Sequence, residues 1–212
     1  MAKPISDAAS TPATSPVRER IIEASADLFR QNGYDVSMDA IAQAADVSKQ
    51  SLYNHFGSKE ELFKSIVTLR SAAMRAPLTA SGPDREPREV LLDVARQYYA
   101  LAFNPRSMGF LRTIVSASQR FPDIGADFYD VGPKQTLEVL IEWMEREERL
   151  GRLNTRNPRL AAEHFLSLLL GHIQTRGLLG LETGTSEADL EERAAFCADA
   201  FMRAFGAPVN RA

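Results

Sequence analysis

Residues 37–63 read SMDAIAQAADVSKQSLYNHFGSKEELF, and this stretch decides the fold of the chain. Ser37 is a favourable N-cap for a first helix, in which Met38, Ile41 and Ala45 recur at helical spacing. Ser48 offers a second N-cap after only about three turn residues, and helices joined so tightly cross at a steep angle. The stretch therefore predicts a helix-turn-helix unit over about residues 37–56 of an all-α protein.

The second helix of this unit carries polar side chains on one face. At about 100° per residue, Lys49, Tyr53, Gln50 and Asn54 fall at roughly 0°, 40°, 100° and 140° around the axis. Leu52 falls at roughly 300°, so it points toward the core. A DNA-reading helix requires hydrogen-bond donors and acceptors on one side and apolar residues that fix its position on the other. An ordinary amphipathic helix pair would share the polar outer face, so the face alone does not decide between the two.

The residue order narrows this choice. The runs VSKQSLYNHF (residues 47–56) and SKEELF (residues 58–63) resemble the TetR family of one-component bacterial transcription regulators. The chain departs from the family pattern at two positions. Asp46 stands where the turn usually carries glycine, although Asp tolerates the left-handed conformation better than most residues. Gln50 stands where a small residue is common, so the base preference of relatives does not transfer.

The resemblance implies roles for the polar residues of the motif. Lys49, Gln50 and Asn54 would face the major groove, where the two amides can pair with adenine and the lysine with guanine or phosphate. The remaining expected DNA contacts, mostly to backbone phosphates, are Ser37, Ser48, Ser51, Tyr53, His55 and Lys59.

Length and charge are compatible with this interpretation. The chain has 212 residues and a net charge of −3, which excludes a binder that relies on overall positive charge. Residues 48–59 nevertheless contain two lysines and no acid, and the local field is what matters. The expected organisation is a disordered arm over residues 1–16, a three-helix DNA-binding domain over 17–76, and a larger helical ligand-binding and dimerisation domain over 77–212.

Further helices are expected after a flexible break at residues 77–87. They cover about 87–103, 105–120, 133–150, 157–178 and 186–205, and three of them begin at an Asn-Pro or Gly-Pro pair. The 157–178 helix is apolar nearly all round, so it must be buried on more than one side. The family resemblance implies that this helix and the last one form a four-helix interface in a homodimer; alternatively, both are core helices. The expected interface residues are Phe165, Leu169, Ile173, Phe201 and Phe205.

The middle of the chain is expected to enclose a ligand pocket, because relatives hold a cavity there. The run from Arg120 to Pro122 and the Gly132-Pro133 pair resemble the AefR-like type of C-terminal domain in this family. Aromatic residues at helical spacing are more often core than ligand contacts, so the assignment stays open. The expected pocket residues are Tyr99, Phe103, Met108, Arg112, Phe128, Trp143 and His172, with Tyr98 and Phe110 as further candidates.

No enzyme signature appears, since the sequence has no Gly-rich phosphate loop, no nucleophile elbow and no Cys/His cluster. His164 and His172 lack a third ligand, so no metal and no cofactor is expected. Cys197 is the only cysteine and is expected to be a buried thiol. No signal peptide or membrane-spanning segment is evident, and a cytoplasmic protein is expected.

The sequence thus predicts a dimeric regulator that binds a near-palindromic double-stranded DNA operator. A repressor released by a small, largely apolar effector is the first hypothesis. A DNA-binding regulator without a small-molecule effector, either constitutive or controlled by a protein, is the main alternative. An all-α interaction domain is the third.

Overall fold

A computed structural model describes residues 15–181 and 185–208, and within these ranges the chain forms ten α-helices. The all-α prediction is confirmed. Residues 1–14 of the expected disordered arm lie outside the described residues, whereas the Ser15 side chain caps the first helix at Pro16. The helices are α1 (Pro16–Asn32), α2 (Met38–Ala44), α3 (Lys49–Phe56), α4 (Lys59–Ala80), α5 (Pro87–Ala102), α6 (Pro105–Ser118), α7 (Pro122–Val131), α8 (Pro133–Arg149), α9 (Pro158–Leu178) and α10 (Glu187–Phe205).

Proline at the first helical turn begins many of these helices. Pro105, Pro133 and Pro158 start α6, α8 and α9, as the sequence predicts, and Pro16, Pro87 and Pro122 start α1, α5 and α7. Proline is favourable there because the first helical amides have no intrahelical acceptor to lose. These signals are local, which is why the expected bounds of α5, α6, α8, α9 and α10 differ by no more than two residues from the observed ones.

Two expectations about the connections are wrong. Helix α4 does not end before residue 77 but continues through Pro77 to Ala80, because Leu78 is buried and holds this last turn against the core. The true connection is residues 81–86. Helix α7 was not expected, since glycines and prolines surround it; burial of Ile124 stabilises it despite weak intrinsic propensity.

Helix α9 is kinked rather than straight. Gly171 has φ 47° and ψ −162°, a conformation outside the helical region that L side chains rarely adopt. The kink divides α9 into a longer first segment and a short second one, whose last turn is held by Arg112 of α6: its Nη1 donates to the Gly177 carbonyl at 2.6 Å.

Helix α4 joins two hydrophobic cores. Phe63, Ile66 and Val67 belong to the first core, formed by α1 to α4 with α6 and α7, whereas Leu78 belongs to the second, formed mainly by α5, α8, α9 and α10. Because Phe110 and Ile114 of α6 also lie in the first core, the packing has no gap at residue 76. The domain boundary expected there falls inside a continuous helix.

Polar contacts tie the second core together at its edges. The Arg88 Nε of α5 lies 2.6 Å from the Asp199 Oδ1 of α10. Glu147 of α8 is 1% exposed and forms ion pairs with Arg146 and Arg152. Arg146 also donates to the Ser81 hydroxyl at 2.7 Å, which joins the α8 end to the α4–α5 connection. A buried carboxylate with two guanidinium partners fixes the geometry of this end of the molecule.

The expected interface residues require a correction. Phe165, Leu169, Ile173 and Phe201 are buried within one protomer, and the Phe205 ring packs at a tilt against Phe201 with 4.8 Å between ring centroids. The first four side chains are therefore core residues of one protomer, and Phe205 is partly buried against the same core. Among the described residues, no helix is both long enough and apolar enough to cross a lipid bilayer.

Candidate nucleic-acid interface

The turn of the helix-turn-helix unit is held by backbone hydrogen bonds around a left-handed residue. The Val47 amide donates to the Ala42 carbonyl at 3.0 Å, and Asp46 has φ 52°. This confirms that Asp46 takes the conformation usually given to glycine in such turns. A short polar side chain lowers the cost of that conformation, since it can hydrogen-bond locally.

Helix α3 is anchored by two buried side chains. Leu52 is fully buried and Phe56 is 6% exposed, so one side of the helix is fixed in the first core. The guanidinium of Arg18 in α1 lies over the Phe56 ring, 5.0 Å from its centre. The α3 axis is therefore held against α1 and α4.

The opposite side of α3 presents an exposed polar row formed by Lys49, Gln50, Tyr53 and Asn54. Within it, the Gln50 Nε2 donates to the Asn54 Oδ1 at 2.9 Å, so the two amides are already aligned one turn apart. Each amide keeps a donor and an acceptor that could meet a base edge. The helical-wheel arrangement expected from sequence is confirmed; the DNA contacts themselves stay predictions.

Lys49 has an acidic neighbour that the sequence analysis missed. Its Nζ lies 2.8 Å from Oδ1 and 3.1 Å from Oδ2 of Asp39 in α2, and this contact raises the pKa of Lys49. Asp39 is ten positions away in sequence, and only the crossing of α2 and α3 brings the two side chains together. The local positive charge at this end of α3 is thus partly neutralised.

The expected phosphate-binding residues surround this row. The Ser37 and Ser48 hydroxyls accept from the Ala40 and Ser51 amides at 3.1 Å, as N-caps, and each keeps its own proton for donation. The Lys59 ammonium lies 4.4 Å from the centre of the Tyr34 ring, where burial lowers its pKa. His55 and Tyr53 are exposed near the C-terminal end of α3.

A mostly apolar cavity of about 290 Å³ lies between the DNA-binding unit and the second core. Of the seven pocket residues expected from the sequence only Phe128 lines it, and the further candidates Tyr98 and Phe110 also do. The cavity wall is completed by Val67, Arg70, Ser71, Met74, Leu101, Ala102, Ser107, Leu111, Pro133, Thr136, Leu166, Leu170 and Gln174.

Three of the other expected pocket residues are part of the second core. The Tyr99 hydroxyl contacts the Cys197 Sγ at 3.6 Å, Phe103 lies 5.5 Å from the Tyr99 ring centre, and Trp143 is 3% exposed. Burial raises the pKa of Cys197, and its side chain is buried as expected.

The remaining three occupy other places. Met108 packs against Gly177 where α6 crosses α9, and His172 is exposed beside the kink. Arg112 lines a separate, open and polar cleft of about 580 Å³ between α1 and α6, together with Arg30 and Arg120. Helical periodicity places apolar side chains inward, but it does not say which of them border empty space.

Both parts of the chain are similar to known families of bacterial transcription regulators. Residues 21–66 match the model of the bacterial regulatory proteins of the tetR family, and residues 89–207 match the AefR-like transcriptional repressor C-terminal domain. Among curated proteins, the transcriptional regulator UidR of Escherichia coli is 42% identical over 53 residues, which are 24% of this chain and 27% of UidR. This chain therefore spans about a quarter of that relative.

Solved structures extend the likeness to nearly the whole chain. A TetR-family regulator from Mesorhizobium loti is similar with a TM-score of 0.77 and 27% identity, covering 93% of this chain and 100% of that one. The flavonoid-responsive regulator FrrA is 33% identical with a TM-score of 0.65, covering 92% of this chain and 98% of FrrA. The relatives are transcription regulators rather than enzymes.

Proposed function

Because this chain belongs to the TetR family of bacterial transcription regulators, we propose that it is a homodimeric repressor released from its operator by a small, largely apolar ligand. The observation that carries the proposal is the exposed polar row of α3, fixed on its other side by buried Leu52 and Phe56. A regulator of this kind binds DNA through a helix whose orientation is rigid.

The proposed division of DNA contacts follows the positions of the side chains. Gln50 and Asn54 would read base edges as an aligned amide pair, and Lys49 would contact guanine or phosphate after leaving Asp39. The hydroxyls of Ser37, Ser48, Ser51 and Tyr53, with His55 and Lys59, would bind backbone phosphates and set the register.

An exposed apolar strip on α9 and α10 supports a homodimer, on a different face from the one expected. Leu160 and Leu168 of α9 are 47% and 44% exposed, and Phe196 of α10 is 62% exposed. The two helices meet here, since the Sγ of Cys197, next to Phe196, contacts the Leu168 carbonyl at 3.6 Å. Exposed apolar residues grouped in this way mark an interaction surface. A two-fold dimer would present two α3 helices to a near-palindromic operator.

The cavity supports ligand response over a regulator without an effector. Its volume of about 290 Å³ lies just below the range of about 300–1,000 Å³ that small-molecule sites occupy, and its wall is mostly apolar. FrrA is flavonoid-responsive, as its name states, and a flat apolar effector is compatible with such a wall. A sealed core would have favoured the effector-free alternative.

Helix α4 offers the connection between the two sites. It begins at Lys59 next to the DNA-binding unit and contributes Val67, Arg70 and Met74 to the cavity wall. A ligand that favours a different α4 position would change the spacing of the two α3 helices in the dimer. Only a difference in ligand affinity between the two spacings can drive this change.

The direct test is binding to the DNA that flanks the gene of this protein and to duplexes selected from a random pool. We expect a protected region with two half-sites about one helical turn apart. The matched control is a Tyr53→Ala, Asn54→Ala double variant, whose exposed positions leave the fold intact and whose binding should be much weaker. Absence of binding to either DNA at low salt would overturn the proposal.

A further inference from the structure

Arg70 is the only charged side chain in the described wall of the 290 Å³ cavity. It lies on α4, among apolar neighbours such as Met74, Leu111 and Phe128. A guanidinium is an unusual component of an apolar wall, because removing it from water without a counter-ion is costly. A guanidinium at this position is therefore expected to have an anionic partner.

No protein anion within the described residues fills that role. Arg70 has no hydrogen bond or ion pair there, and its guanidinium carbon lies 5.4 Å from the centre of the Phe110 ring. The acids Glu23 and Asp27 on α1 attract it from a distance, and Arg106 on α6 repels it, but burial outweighs these effects and lowers the pKa of Arg70.

One of these two acids, Asp27, is already engaged by other arginines. The Asp27 Oδ1 lies 3.6 Å from the Arg30 Nε and 4.0 Å from the Arg106 Nε, so it is shared by two other arginines. Arg70 thus stays charged and partly buried, with its guanidinium over the Phe110 ring, an arrangement that can orient it toward an incoming planar anion.

We propose that the cavity takes an amphipathic organic acid, with an apolar body and a single carboxylate that pairs with Arg70. The inference rests on the proposed function of the cavity as the effector site, and it adds the chemical class of the effector. The body of the ligand would contact Met74, Leu101 and Leu166, while the side-chain amide of Gln174 and the Ser107 hydroxyl are further polar groups of the wall.

The position of Arg70 also gives the acid a direct effect on the DNA-binding unit. Arg70 is eleven residues after Lys59 on the same helix, which corresponds to about 16 Å along its axis. An anion that binds Arg70 therefore acts on the helix that leads to the operator. An uncharged ligand of the same shape would lack this contact.

Paired probes test the inference on the full-length protein. Octanoate and cinnamate are compared with octanol and cinnamyl alcohol, which have similar apolar bodies and no charge, by calorimetric titration. We expect the acid to bind at least tenfold more tightly than its alcohol. In Arg70→Gln we expect the acid to lose at least tenfold in affinity and the alcohol to change less than threefold, whereas Arg70→Lys should keep part of the preference.

Arg75→Gln is the matched control, because it removes the same charge from the same helix at a residue that does not line the cavity. It should leave the affinity for both acids unchanged. Circular dichroism checks that each variant is folded.

The outcomes separate this inference from the proposed function. Equal affinity for acid and alcohol, or an Arg70→Gln variant that keeps the preference, would overturn the inference. The repressor proposal would then stand if an alcohol still released the operator. If none of the four probes binds at millimolar concentration, the effector class proposed here is wrong, while operator binding tests the regulator independently.

Discussion

Lys49 illustrates how much a single neighbour changes the chemistry of a residue that we propose to face DNA. Its position on the exposed row of α3 follows from the sequence, but its ion pair with Asp39 follows from the crossing of two helices. In the free protein the ammonium is occupied, so a phosphate or base must displace the carboxylate. Asp39 thereby favours release from DNA that offers no compensating contacts.

Replacing Asp39 by asparagine should strengthen binding to non-specific DNA, because Lys49 would be free to neutralise a phosphate. One additional phosphate contact would steepen the slope of log affinity against log salt by about 0.9. Fluorescence anisotropy with a scrambled duplex at several salt concentrations measures this slope.

Asp130→Asn is the control for this experiment. It removes an exposed ion pair outside the DNA-binding unit, in which the Lys134 Nζ lies 2.9 Å from the Asp130 Oδ1. It changes the net charge by the same amount as Asp39→Asn. If both variants steepen the slope to the same extent, overall charge rather than Lys49 is responsible.

Substitutions at Gln50 and Tyr53 should separate base recognition from the general affinity for DNA. Gln50→Ala breaks the amide pair with Asn54 and should reduce the preference for operator over scrambled DNA by about 1–3 kcal/mol. Tyr53→Ala should weaken binding to both duplexes in similar proportion, since it would remove the proposed contact to the DNA backbone. Competition titrations with the two duplexes provide the measurement, and an equal loss on both for Gln50→Ala would contradict the division.

At the scale of the element, local signals describe the helices well and fail where burial overrides them. Ser37, Ser48 and Ser58 cap α2, α3 and α4 by accepting from backbone amides, and such caps are readable in the sequence. Helix α4 nevertheless passes through Pro77, because burial of Leu78 offsets the disruption. Periodicity likewise does not reveal the kink at Gly171.

The left-handed turn residue Asp46 provides a stability test for the helix-turn-helix unit. Asp46→Ala should destabilise the protein relative to Asp46→Gly by about 1 kcal/mol, because alanine pays the full steric cost of a positive φ. A difference of this size corresponds to about 2–4 °C in melting temperature for a chain of this length. Thermal unfolding of both variants at one protein concentration measures it, and equal melting temperatures would argue against the turn geometry.

At the scale of the whole molecule, the proposed dimer brings two α3 helices together through the surface of α9 and α10. Apolar residues on all sides of α9 leave several faces available for burial. The protomer itself uses the Phe165 and Leu169 side, which leaves Leu160 and Leu168 outward. The proposed dimer therefore uses the face that the protomer core does not need.

Leu168→Glu combined with Phe196→Glu should convert the dimer into a monomer, because burying two carboxylates in an apolar contact is unfavourable. Operator affinity should fall by at least tenfold, since two half-sites would no longer be bound together. Analytical ultracentrifugation and operator titration give the two readouts.

Val115→Glu serves as the control for the dimer variant. Val115 is 51% exposed on α6, so the change adds a carboxylate to another apolar surface position. It should leave the sedimentation behaviour unchanged. A double variant that remains dimeric would contradict the proposed interface.

The sequence alone determined the all-α class, most helix bounds, the helix-turn-helix motif and the polar row of α3. These features depend on caps, proline positions and the periodicity of neighbouring residues, and such interactions act over a few positions. The likeness to TetR regulators likewise rests on one contiguous stretch of residues.

Only the tertiary structure decided which apolar side chains are core, which are exposed and which border the cavity. A helix that is apolar on all sides has no phase that identifies its inner face, so the interface residues expected on α9 proved to be core. The cavity, the Lys49–Asp39 pair and the place of Arg70 in the cavity wall each depend on helices that meet in space. Their chemistry arises from packing, and packing between distant segments leaves no local pattern.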